Sequence, residues 1–254
     1  MKKGSVIIII VLLLILAVIG YRYLPVIWPG LYFAHEMKYR QFSVQADQHL
    51  NRGIRFLLEE ATARVQFSPL YSEDKSFHVF LCYRPKTYDH FARQMHMDAS
   101  SQGFTIEPLG YLFLNLREIG DVGQRYGKQF PYSLLSGKAS HILAHELTHT
   151  LITDRLGYFG SRNLAGWKRE GYAEYVASGS IRSEDSTYSL VERVSSVLNG
   201  QYGEVPPARR QYIRDQLVVE YLLDIRDWSL LQLINSPVSE DEVYREMVSW
   251  ARSQ

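Results

Sequence analysis

The run His145-Glu146-Leu147-Thr148-His149 holds the residues of this chain best spaced for chemistry. Positions four apart on a helix project one above the other, so both imidazoles can address a single ion. Glu146, one residue round, can reach a water held by that ion. Leu147, Leu151 and Ile152 are left to bury the opposite side. Metal-assisted hydrolysis is the chemistry such a set supports: three protein ligands leave a place for water, and a carboxylate takes its proton. Trp167-Lys168-Arg169-Glu170-Gly171-Tyr172-Ala173-Glu174-Tyr175 offers the third ligand. Glu170 starts a predicted helix whose first turns can face the histidines, completing a site for one zinc ion. Glu174, one turn on, can accept the proton on a histidine's outer nitrogen and fix its tautomer. The single cysteine, Cys82, excludes an internal disulfide and any thiolate-rich metal centre, so His and carboxylates must do the holding.

The elements that position these residues follow from periodicity. Ile142, Leu143, Leu147, Leu151 and Ile152 supply the apolar face of the motif helix; Ser136 or Ser140 can cap it and Gly157 ends it. Trp167–Ser178 forms the helix carrying Glu170, with Gly179 as its stop. Upstream, Asp47–Val65 has helical spacing, Phe77–Tyr83 and Gly110–Leu116 read as strands, and Tyr88–Met97 reads as helical. Residues 117–136, with their glycines, read as a long loop. Downstream helices are expected over Ser186–Leu198, Ala208–Ile225 and Glu240–Trp250. The order is a small sheet followed by mostly helices, an α+β architecture.

Across 254 residues, 28 Lys+Arg against 27 Asp+Glu leave a net charge of +1, which gives no basic field for nucleic acid. There is no glycine-rich phosphate loop and no serine nucleophile elbow. Lys2 and Lys3 precede an uncharged run from Gly4 to Tyr21. As a helix this run is about 27 Å long, near the thickness of a bilayer core. It predicts an N-terminal transmembrane helix within residues 1–25, with a cleaved signal segment as the alternative, followed by one domain over 26–254. The flanking lysines favour an extracytoplasmic body on a single-pass membrane protein. No feature of the sequence fixes an oligomeric state.

The two motifs, HELTH and W-x-x-E-G-x-A-E-Y, resemble those of the gluzincin zinc metallopeptidases, the thermolysin- and aminopeptidase-like group, and especially peptidase MA-like domains. The resemblance spans Ala139–Gly179 and implies a zincin-like fold. It also implies zinc ligation by His145, His149 and Glu170, with Glu146 as general base and Glu174 supporting a ligand from behind. It leaves room for a tyrosine on a later helix to stabilise the oxyanion: Tyr212 first, with Tyr221 and His141 as rivals. An edge strand beside the zinc helix commonly receives the substrate in this group, which would make Tyr111, Leu112, Phe113, Leu114 and Asn115 the substrate strand. The G-x-M-E-N-like exopeptidase strand is absent, which points to an endopeptidase. The function implied is hydrolysis of peptide or protein substrates by a membrane-tethered zinc peptidase. A non-catalytic, zinc-stabilised protein-binding or assembly domain is the alternative.

Overall fold

The computed structural model describes residues 3–117, 132–179, 189–200 and 207–254. Most of the expected loop over 117–136, and the first residues of the helix expected from Ser186, lie outside them. The chain forms a small mixed sheet followed by mostly helices. The strands are β1 (His35–Tyr39), β2 (Phe42–Ala46), β3 (Phe77–Cys82), β4 (Gly103–Ile106) and β5 (Tyr111–Asn115). Their spatial order is β1-β2-β3-β5-β4. β2, β3 and β5 run parallel, while β1 and β4 close the two edges antiparallel to their neighbours.

The central strands are nearly continuous apolar runs because helices cover both faces, as parallel strands require. On one face Val79, Leu81, Leu112 and Leu114 pack against α2 (Gly53–Val65) and α4 (Tyr132–Asn163), through Leu58, Leu143 and Leu147. On the other, Phe80, Phe104 and Phe113 meet Phe91 of α3 (Pro85–Gln94). Ring centroids there lie 4.8 Å apart for Phe80–Phe113 and 5.0 Å for Phe104–Phe113, inside the stacking range. Thus α4 is seated on the sheet by one set of alternating side chains, and its opposite side is left for chemistry. Gly157, at φ 72°, breaks the helical path of α4 as its lack of a Cβ permits.

Among the described residues the further helices are α5 (Gly166–Ala177), α6 (Leu190–Leu198), α7 (Pro207–Glu220), α8 (Leu230–Asn235) and α9 (Glu240–Ala251). A π-helical turn, Tyr221–Ile225, extends α7. Ser189, Ser229 and Ser239 each accept from the backbone N–H three residues on while a Glu or Gln answers, so α6, α8 and α9 start on capping boxes.

The N-terminal expectation needs correction. The first helix, α1 (Lys3–Ile27), runs past Arg22 and through Pro25, and its last turn buries Val26 in the aromatic cluster beside Phe33 and Phe91. Among the described residues no helix is long and apolar enough to cross a membrane. The transmembrane helix is therefore withdrawn, and with it the membrane tether, the membrane as a partner and the single-pass topology.

Candidate metal centre

Five of the expected site residues, His145, Glu146, His149, Glu170 and Glu174, come from α4 and α5. His145 and His149 lie one turn apart on α4, and their Nε2 atoms face each other at 3.0 Å. Glu170, in the second turn of α5, brings Oε2 to 3.4 Å from His145 Nε2 and 3.3 Å from His149 Nε2. One ligand atom from each of the three residues thus meets the others within 4.8 Å, a cluster that could hold a metal ion. Two ligands held at about 2.0–2.1 Å in a tetrahedral set stand about 3.3 Å apart, so the near-equilateral triangle fits a divalent ion. The donor chemistry agrees: two imidazole lone pairs aimed at each other repel unless a cation, proton or metal, sits between them.

The electrostatics of the bare cluster make the same demand. Burial works against a charge on His145, but the carboxylates of Glu170, Glu174 and Glu146 outweigh it and push its pKa up to about 10. Burial would raise the Glu170 and Glu174 carboxyls; their histidine neighbours reverse this and hold both well below the usual carboxylate range. The site is built to keep positive charge at its centre.

Two close approaches set the geometry. A Cβ on Gly171 would lie 2.4 Å from the backbone oxygen of Asp215, so α5 packs directly on the backbone of α7. That contact fixes the helix from which Glu170 projects. Gly103 brings β4 onto α4 in the same way, since a Cβ there would stand 3.0 Å from Ile142 and 3.3 Å from Glu146 Cγ.

Around the triad the structure adds residues that the sequence did not reveal. Thr105 of β4 donates its hydroxyl to Glu146 Oε2 at 2.6 Å. Arg169 donates to the other oxygen of Glu170, Oε1, at 3.2 Å. Glu174 is buried; its firm bonds go to His141 Nε2 at 2.9 Å and Arg209 Nη1 at 3.0 Å, whereas His145 Nδ1 is a longer 3.5 Å away. His141 therefore stands behind the site as a partner of Glu174. Position beside Glu170 could have flagged Arg169; Thr105 and Arg209 arrive by tertiary packing, with no local signal.

Tyr212 on α7 sets its ring edge-on to His145, centroids 6.1 Å apart. Burial, reinforced by the Glu170, Glu146 and Glu174 carboxylates, pushes its phenol up to about 12, so it keeps its proton at neutral pH. Its rival Tyr221 is occupied elsewhere, donating to Glu246 and packing on Trp250.

The substrate-strand expectation also needs correction. β5 spans Tyr111–Asn115 as expected but lies inside the sheet, between β3 and β4. Leu112, Phe113 and Leu114 are fully buried, and Asn115 bonds the backbone of Gln102 and Ser101. The edge beside α4 belongs to β4. Sequence order placed β5 nearer the motif, but the antiparallel return of β4 puts β4 outside it. No protein-family model matches this chain and no curated protein matches it in sequence, so the site rests on its own geometry.

Proposed function

We propose that this chain is a zinc-dependent hydrolase that cleaves peptide bonds, with His145, His149 and Glu170 as the zinc ligands. The observation that carries the reading is the convergence of two Nε2 atoms and one carboxylate oxygen, with Glu146 beside them. His2Glu is a donor set of catalytic rather than closed structural zinc sites. Bound there, zinc supplies Lewis acidity toward a carbonyl and toward water.

The chain's own residues supply the rest. Glu146 takes a proton from the attacking water and passes it to the leaving amine, acting first as base and then as acid. Tyr212, protonated and half-buried, donates to the developing oxyanion. His141 and Arg209 hold Glu174, whose carboxylate stabilises positive charge on the His145 side of the site. The outer edge of β4 offers backbone groups to an extended substrate, which gives affinity without demanding one sequence.

Metal analysis of the purified full chain, paired with cleavage of a peptide library, tests the reading. Glu146→Gln should retain one zinc and lose about 100-fold or more in turnover. His149→Ala should lose the ion. Zinc binding with equal turnover in Glu146→Gln would reject the mechanism, and a chain that binds no divalent metal would reject the site.

A further inference from the structure

Adjacent residues on a helix do not face each other, yet Arg169 and Glu170 are in contact. The Arg169 side chain folds back so that Nε and Nη2 each lie 3.2 Å from Glu170 Oε1. Glu107, on the short 3-10 turn that follows β4, waits on the far side, 3.9 Å from Arg169 Nη1. Both flanking groups are largely shielded, with Arg169 24% and Glu107 12% exposed. The two oxygens of Glu170 therefore have separate employment: Oε1 belongs to the guanidinium and Oε2 faces the two histidines.

We infer that Arg169 is a positioning residue that confines Glu170 to one-oxygen ligation of the metal. This rests on the metal-site reading above. A carboxylate with both oxygens free can bind an ion through either one or both. A second bond from Glu170 would fill the place that a catalytic site must keep open for water. The Nε–H bond to Oε1, with Nη2 in ion-pair contact beside it, holds that oxygen away, and Glu107 keeps the guanidinium turned toward it. An ordinary exposed ion pair would contribute little; here the contact decides coordination number.

Cobalt(II), whose visible absorption reports coordination number, is the probe. It is titrated into the metal-free full chain, wild type and Arg169→Met, with circular dichroism as a check on folding. Wild type should bind one Co2+ with intense four-coordinate bands. Arg169→Met should bind one as well, with molar absorption lower by roughly twofold or more as coordination expands, and its zinc form should turn over more slowly. Glu107→Gln should shift the spectrum the same way by less, and it carries the test should Arg169→Met not fold. Superimposable spectra in the folded variants overturn the role of Arg169 and leave the metal site standing. A wild type that binds no stoichiometric Co2+ removes the metal reading itself, and this inference with it.

Discussion

Thr105 and Glu146 are joined by a 2.6 Å hydrogen bond from hydroxyl to carboxylate. The edge strand thereby holds the candidate base, and Phe104 and Ile106, anchored on the far face of the sheet, keep Thr105 turned toward α4. Thr105→Val keeps the shape and removes the donor. It should lower kcat about tenfold with zinc content unchanged, consistent with about 1–3 kcal/mol for a buried carboxylate losing a donor. Thr105→Ser should recover most of the loss. Steady-state kinetics with metal analysis on all three proteins checks this.

Gly171→Ala places a methyl group where Asp215 already has its backbone oxygen. α5 and α7 must then separate, at a cost of about 1–3 kcal/mol from overpacking. Because Glu170 is the neighbouring residue, zinc affinity should fall together with stability. Thermal melts with and without zinc should show a lower midpoint and a smaller zinc-induced rise than in wild type.

Asp215 provides a pH signature. Burial pushes its carboxyl up to about 6, with Gln211 opposing through a 2.7 Å bond. Its folded value lies above its unfolded value of 3.8, so its contribution to stability is fully present below that value and is lost as pH rises to about 6. Asp215→Asn removes the charge but keeps an acceptor for Gln211. The variant should match wild type at pH 4 and exceed it by about 1–2 kcal/mol at pH 8. Denaturant titrations at the two pH values measure the difference.

Protons compete with the metal for His145. The carboxylates around it, working against burial, push its pKa up to about 10. Zinc must therefore displace a proton across the neutral range, and its affinity should rise about tenfold per pH unit from pH 6 to 9. Chelator competition at several pH values should give that slope. A flat profile would mean that the ion is not held through this ring.

Much of the scaffold was legible because its signals are local. β5 falls within the Gly110–Leu116 stretch read as a strand, and Gly157 breaks α4 where glycine was expected to end it. The helix carrying Glu170 ends at Ala177, one residue before the expected end at Ser178. Apolar spacing starts this helix at Tyr88, whereas α3 opens at Pro85, as a proline at the first helical position allows. β4 carries no local signal, because it is a four-residue strand beginning with glycine, supported by pairing rather than composition. The two histidines and Glu170 could be paired by type and spacing alone. The partners of Glu146 and Glu174 could not, because Thr105 and Arg209 reach them across the fold from 41 and 35 positions away.

Every strand of the sheet, and the α2 helix that shares its face, precedes His145 in the chain. During synthesis the amino-terminal side emerges first, so the surface that receives α4 can form before any ligand has left the ribosome. The two histidines then arrive at a seat already made, and Glu170 follows within the next helix. Metal binding at the proposed site would then be a late event, one that locks a finished platform rather than nucleating it.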